Sequence, residues 1–590
     1  MEPLLNDTQK AEIHSPLQRF IFACKVQLHI ARRRGQNMFS GLRKYPQSTQ
    51  ESPLPLIAES RSPLWNTEDN AGNFILTAGK VQNLRIAIKQ LQGLEVPANG
   101  TFSFWKQIGK ATRRKGYVQG REIREGCLVP VTGGGLCQLS NALYDAALKA
   151  GFHILERHRH SRVVRGSLAE QNRDATVKWN YIDLRFCSEH NFRIDIQMTD
   201  TELIVQLRGT RGGQPADTDL ASESPAFLKD CMTCGNTLCS NHHKHGTTAG
   251  NPGRTLWAGD EKWPEFYEYT KLNIQPDDYT FFPFTKRSRF SIARLCWETG
   301  NGKASDFSFL ALRRSMHIRY AAKRGRNIPS LLMKYDRLIA RRLAKRIPVG
   351  VRHLVIPQNL LPFLYPYGVL AGRSYDVLMT RLPLHVLQQR LDDLAQLYPE
   401  SSTAADFRVD ETFARDEYQA LQQARKLLTP HAETAALFPG KTVYSDWMQG
   451  PADKKTVTSG GKILFPAAAL ARKGAYEVRE WAQKYGHRIH VSGNASEGPG
   501  FWKDTDVVHS PLSLENVALL VLPAYVEHQP RILLRALAAG IPVIASAACG
   551  IPPQEGLYVL PKISAAAMEE KYLEIQQTYA ARSRTESHTA

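Results

Sequence analysis

The run Gly133-Gly134-Gly135-Leu136-Cys137-Gln138 places a thiol directly after three glycines. It opens a helix-like stretch, LCQLSNALYDAALKAG, that ends at Gly151. Glycines let the backbone turn sharply and approach another group closely. A cysteine in the first helical turn lies at the positive end of the helix dipole, which favours the thiolate. A thiolate nucleophile needs a base, and the base needs a group to orient it. Downstream, Glu156-Arg157-His158-Arg159-His160-Ser161 offers two histidines and Asp174 a carboxylate. His158 or His160 is the candidate base and Asp174 the candidate orienter. Residues two apart on a strand share a face, so both histidines are expected on one side. A buried structural cysteine is the competing reading.

A second cluster is Cys231, Cys234, Cys239 and His242, spaced C-x2-C-x4-C-x2-H. Zinc takes four tetrahedral ligands of this kind, and C-x2-C puts two thiolates on one tight turn. Such a site would fold an otherwise structureless loop. Four protein ligands leave no open position, which points to a structural Zn2+. An iron–sulfur cluster is the alternative, since thiolates with a histidine can also hold one; an unmetallated loop is the third reading.

The third set lies near the C-terminus. Strand-like KILFPA leads to Arg472-Lys473-Gly474 and a helix-like run, AYEVREWAQKYG. Strand-like ALLVLPA leads to Tyr525-Val526-Glu527-His528-Gln529-Pro530 and a second helix-like run, RILLRALAAG. A loop and helix start after a parallel strand is where phosphates bind, and Lys473 adds a point charge suited to a diphosphate. Upstream, Asp406-Phe407-Arg408 and Thr429-Pro430-His431 fall near strand ends; a structural role is the expectation for His431.

The elements around these residues divide the chain. Residues 1–74 read as a basic extension with one helical pattern (Leu17, Phe20, Ile21, Cys24, Leu28). Residues 75–210 mix helices with strands YIDLRF, FRIDIQM and ELIVQLRG, which suggests an α+β module with an antiparallel sheet; TFSFW also reads as a strand. Residues 211–256 are a linker holding the cysteine–histidine cluster. In 257–445 and 446–590 strands alternate with helices, predicting two Rossmann-like halves with parallel sheets. The overall class is α/β.

Lys plus Arg number 76 against 56 Asp plus Glu, a net charge of +20 that favours anionic partners. Over half of it lies in 313–346, which holds twelve Lys or Arg and one acid, Asp336. Apolar residues recur there at helical spacing, a pattern for a solvated helix face or for an anionic membrane surface. No apolar run reaches the length of a spanning helix. Nine cysteines and no signal-like start lead to the expectation of a cytoplasmic protein with reduced thiols, peripheral at the inner membrane face. No familiar nucleic-acid-binding signature is present, so nucleic acid is the least favoured partner.

Residues 80–208 resemble the VanW family. The resemblance is carried by Thr101-Phe102-Ser103-Phe104-Trp105, Lys115-Gly116-Tyr117, the Gly133 to Asn141 run, the Glu156 to Ser161 run, Asp174-Ala175-Thr176-Val177 and Asn180-Tyr181-Ile182-Asp183-Leu184. It names the module and leaves its chemistry open. Residues 257–575 resemble GT-B glycosyltransferases, most clearly over 460–552. That resemblance implies a phosphate-binding role for Lys473-Gly474 and makes Glu527 the first of two glutamates eight apart. The second falls on Arg535, and the family's arginine five before the lysine falls on Ala468, with Arg472 as a substitute. The implied activity is sugar transfer from a nucleotide-sugar donor to a cell-envelope glycan or lipid-linked acceptor, with 257–445 carrying the acceptor side. The alternatives are a Cys137-dependent enzyme acting on cell-wall peptide or acyl groups, and a non-catalytic, zinc-stabilised protein binding glycan or lipid.

Overall fold

In the computed structural model, the described residues are 16–50, 52–65, 71–124, 127–160, 166–211, 229–230, 253–286, 288, 295–299, 304–324, 328–404, 407–448, 461–493 and 495–589. The Cys231, Cys234, Cys239 and His242 cluster and Asp406 lie outside them. Two compact units form. The first comprises residues 1–254, 346–353 and 368–374; the second comprises 255–345, 354–367 and 375–590.

The first unit is α+β. Its main sheet runs in the order Leu56–Pro63, Glu202–Gly209, Phe192–Met198, Leu94–Val96. Neighbours are antiparallel, with Ile194 opposite Leu207 and Ile196 opposite Val205. A second sheet contains the hairpin Gln119–Arg124 with Cys127–Thr132. A third joins Phe102–Ser103, Arg185–Cys187 and His153–Glu156. The TFSFW segment is thus a two-residue strand that turns at once into the short helix Phe104–Ile108. Ser103 causes the switch: its hydroxyl caps the helix by accepting from the Lys106 amide, and Asp183 accepts from the Ser103 hydroxyl.

The helix Cys137–Lys149 runs through the core of this unit, with every residue from Leu139 to Leu148 buried. Helix Ala71–Ile88 packs against the strand Gln119–Arg124 and buries Val81, Leu84 and Ala87. Phe102, Phe186 and Phe192 stack under the third sheet, with Phe102 and Phe186 centroids 4.6 Å apart.

The second unit holds two α/β sheets. The first, of seven strands, begins Thr255–Ala258 and has the order 3-2-1-4-5-6-7 by chain sequence. The other, of six strands, runs Val507–His509, Ile489–Val491, Lys462–Phe465, Val517–Leu522, Val543–Ser546, Leu557–Leu560. All its pairs are parallel, and its order is 3-2-1-4-5-6. That is the Rossmann arrangement, in which the chain reverses direction of winding between strands 1 and 4. The strands are short apolar runs because helices cover both faces: Ile463 to Phe465 lie against Trp481 and Ala482 of the helix Ala475–Tyr485.

Phe186 has no exposed surface and sits in the ring stack. Phe186→Ala should therefore cost about 3–5 kcal/mol and lower the urea midpoint of the first unit's transition; an unchanged midpoint would contradict this packing.

Candidate functional site

The glycine turn is built against helix Ala71–Ile88. Gly133 and Gly135 have φ of +82° and +93°. A Cβ on Gly135 would stand 2.2 Å from Lys80 Cγ, and one on Gly134 2.3 Å from the Gly120 carbonyl oxygen. Asn83 fixes the turn by donating to the carbonyls of Gly134 (2.9 Å) and Val118 (3.0 Å). The close approach needs residues without side chains. Cys137 emerges from it as the first residue of the helix, partly exposed.

Opposite Cys137, residues 157–160 form no regular strand, so the expected shared face of His158 and His160 is absent. The segment instead pairs with 174–177. The Thr176 amide donates to the His158 carbonyl (2.9 Å), and Arg157 Nε to the Asp174 carbonyl (2.7 Å). The helix holds 174–177 in turn, through Asn141 Oδ1 accepting from the Ala175 amide (2.7 Å) and the Ser140 hydroxyl donating to the Ala175 carbonyl (2.5 Å).

This clamp brings His160 to Asp174, with Nδ1 and Oδ1 2.6 Å apart. The other Asp174 oxygen accepts from the His160 amide. Both groups are buried, with side chains 8% and 5% exposed. Nδ1 is thus committed to Asp174, and nearby Cys137 also favours the charged form of the ring. The Cys137 Sγ lies 3.8 Å from the Thr176 hydroxyl and 3.9 Å from the Val177 carbonyl. Burial opposes charge on the imidazole, but the hydrogen bonds from Asp174 and Cys137 outweigh it and raise its pKa to about 10. His158 is not part of this group: it is half-exposed, 3.5 Å from Glu156.

Cys137 and His160 line a cavity of about 400 Å³, together with Trp105, Trp179, Lys80 and Gln138. Neither tryptophan was singled out for this role by sequence; their rings meet edge to face, centroids 5.6 Å apart. Both belong to the aromatic motifs around 101–105 and 179–181, whose spacing says nothing of a shared wall.

In the second unit, Lys473 follows strand 1 of the six-stranded sheet and Glu527 follows strand 4. They therefore meet at the switch point, Nζ to Oε2 2.8 Å. Lys473 also donates to the Val526 carbonyl (3.0 Å), and the Arg472 carbonyl accepts from the amides of Tyr525 (3.0 Å) and Val526 (3.1 Å). Gly474 has φ of +77°, and a Cβ there would stand 2.1 Å from the Pro523 carbonyl oxygen. The backbone of Arg472 thus stitches the two loops, whereas Arg535 is exposed on the helix Arg531–Ala538.

His431 is buried and structural in its contacts: Nε2 lies 2.8 Å from the Glu527 carbonyl oxygen, and its ring caps the short helix Ala432–Ala436. Burial lowers its pKa. A further group was not legible in the sequence. Glu477, on the first turn of helix Ala475–Tyr485, accepts from the hydroxyls of Tyr398 (2.6 Å) and Tyr525. Burial raises its pKa. Among the described residues, no group of three or more His, Cys, Asp or Glu could hold a metal ion.

Residues 79–208 match the family model described as VanW like protein. The VanW-like domain includes Cys137, His160, Asp174 and the tryptophan pair. Over 173 residues the chain is 33% identical to vancomycin B-type resistance protein VanW of Enterococcus faecalis, covering 28% of this chain and 61% of that protein. Over 109 residues it is 38% identical to the uncharacterized protein YoaR of Bacillus subtilis, covering 18% and 35%. The chain thus spans about three fifths and one third of these curated relatives.

Among solved structures, the lipopolysaccharide outer core galactosyltransferase WaaB in its apo form is similar at 14% identity and TM-score 0.29, covering 53% of this chain and 88% of that one. Sucrose-phosphate synthase from Thermosynechococcus elongatus is similar at 13% identity and TM-score 0.35, covering 55% and 90%. A ugt transferase from Siraitia grosvenorii in complex with UDP is similar at 9% and 0.28, covering 57% and 93%. The two Rossmann-like halves are read from strand order, not from these superpositions. The protein joins a VanW-like domain to two Rossmann-like α/β sheets.

Asp174→Asn should return His160 toward the ordinary imidazole value of about 6.5. The folded-state pKa is the raised one, so the stabilisation from this pair is full below about 6.5 and is lost as pH rises toward 10. NMR titration of labelled histidines checks this; an imidazole in the variant still charged at about pH 8 would contradict it.

Proposed function

We propose that the second unit transfers a sugar from a nucleotide-sugar donor to a hydroxyl of a glycan or lipid-linked acceptor. The observation that supports this best is Lys473 beside Glu527 at the switch point of a 3-2-1-4-5-6 parallel sheet. α/β sheets bind nucleotides in that crevice. In this reading the donor diphosphate competes with Glu527 for the Lys473 ammonium, with Arg472 adding charge. Both stabilise the negative charge that grows on the leaving diphosphate. The bond from the anomeric carbon to the diphosphate oxygen breaks, the bond to the acceptor oxygen forms, and the acceptor proton passes to the departing diphosphate. No protein base is then required, which agrees with the structural contacts of His431. Arg535 and Ala468 alter the ribose and phosphate contacts that the GT-B resemblance implies, so a donor differing from the family's usual one fits best.

A second reading is favoured by one specific observation, the His160–Asp174 pair beside Cys137. We infer thiol-dependent acyl transfer in the VanW-like domain. The Cys137 thiolate adds to an acyl carbon, and the protonated His160 gives its proton to the leaving amine as the acyl–nitrogen bond breaks. The resulting thioester passes the acyl group to an acceptor nucleophile. Asp174 holds the ring, and the positive end of the helix Cys137–Lys149 favours the developing oxyanion. A peptide or acyl group of an envelope precursor is the substrate class.

Two measurements separate the readings. UDP, GDP or ADP should raise the melting temperature of the full chain, and Lys473→Ala should weaken that binding about tenfold or more. If none of the three nucleotides binds, the sugar-transfer reading fails. Cys137 should be alkylated by iodoacetamide at neutral pH faster than a model thiol, and His160→Ala should remove that advantage. Alkylation no faster than glutathione's would overturn the thiol reading and leave the first untouched.

A further inference from the structure

The basic segment 313–346 forms two packed helices, Ser308–Lys323 and Ile328–Ala344. Their inward faces are settled by ordinary packing. Ala311 and Ala321 are buried on the first, and Tyr335, Ile339 and Leu343 on the second. Tyr335 and His317 meet at 2.7 Å. The segment's one acid, Asp336, is turned inward. It lies 3.4 Å from Arg314, which is also held by Asp260 at 2.7 Å.

The outward faces follow a different rule. On the first helix, Phe309, Arg313, Met316, Tyr320 and Lys323 recur at spacings of four, three, four and three, one stripe along the helix. All are exposed, Phe309 by 62% and Met316 by 69%. Arg324 stacks over the Tyr320 ring, 4.3 Å from its centroid. On the second helix Lys334, Leu338 and Arg341 recur at spacings of four and three, all exposed. Large apolar side chains thus alternate with cations, and the segment's own acid is occupied elsewhere.

Among the described residues, Phe309, Met316 and Tyr320 stay exposed at outward positions although they are large and apolar. We propose that this helix pair docks on an anionic lipid surface. The cations meet phosphate and carboxylate headgroups, and Phe309, Met316 and Tyr320 enter the boundary between headgroups and acyl chains. The charge of the face is complementary to an anionic bilayer. A duplex nucleic acid matches the charge but gives the exposed Phe309 and Met316 no apolar environment. The inference stands independently of the sugar-transfer reading, since it uses none of the switch-point residues.

The test is flotation of the full chain with phosphatidylcholine vesicles, with and without about 30% phosphatidylglycerol. The chain should float only with the anionic vesicles, and less so as salt rises. Arg313→Gln, Lys323→Gln and Arg341→Gln together should weaken partitioning on the order of a hundredfold. Phe309→Ser, Met316→Ser and Tyr320→Ser together should weaken it without changing the salt dependence. Far-ultraviolet circular dichroism and the thermal melt report folding of each variant, and if either triple unfolds, the salt titration of the unaltered chain decides. Equal flotation with neutral vesicles, no flotation at all, or binding to duplex DNA with none to vesicles would overturn the proposal. So would full binding by both folded triples.

Discussion

Asp174 is the carboxylate on which the arrangement at the first unit's cavity depends. One of its oxygens holds the His160 ring and the other the His160 backbone amide. A side chain bonded in both ways fixes the ring's position and its tautomer together. The helix Cys137–Lys149 supplies the complementary constraint, since Ser140 and Asn141 on its buried face grip the same strip of chain that carries Asp174. The nucleophile candidate and its orienting acid are thus fastened to one rigid element. An imidazole so placed keeps its proton to about pH 10 although it is buried, because the hydrogen bond to Asp174 and the contribution of Cys137 exceed the penalty of desolvation.

The second unit depends on a constraint of a different kind, the point at which a parallel sheet reverses its winding. Adjacent strands 1 and 4 send their following loops to opposite sides, and a crevice opens between them. Lys473 and Glu527 are 54 residues apart in the chain and meet there because each follows one of those strands. The stitching of the two loops by the Arg472 carbonyl keeps them in register, and Gly474 allows the loop to pass against Pro523. The ammonium at this point has a built-in counterion in Glu527. In the proposed reading an incoming diphosphate would exchange one anionic partner for another, so the cost of desolvating Lys473 is already met in the folded protein.

The two proposed chemistries would suit a single substrate class. An envelope precursor carries sugars, acyl or peptide branches and a phosphate-linked lipid. In the proposed readings, the switch-point cleft, the Cys137 cavity and the cationic helix pair would each match one of those parts. No helix among the described residues is long and apolar enough to cross a membrane, so contact with lipid would come through surfaces such as the Phe309 stripe.

Much of the architecture was legible in the chain itself. Apolar runs of strand length alternating with helical patterns announced the parallel sheets, and the glycine runs announced the turns at 133–135 and 474. Period and turn chemistry are local properties, so local sequence carries them. The sequence offered Cys137, His158, His160 and Asp174 as candidates. Placing His160 rather than His158 against Asp174 required the Thr176 amide to bond the His158 carbonyl and the Arg157 side chain to bond the Asp174 carbonyl. TFSFW read as a strand because its aromatic residues favour one, yet Ser103 and Asp183 convert it to a helix start through a contact 80 residues away. Sequence by itself determined which residue types were available and the periodicity of the elements that carry them. Tertiary structure alone decided which donor faces which acceptor, because hydrogen bonds act over about 3 Å and chain separation does not predict distance.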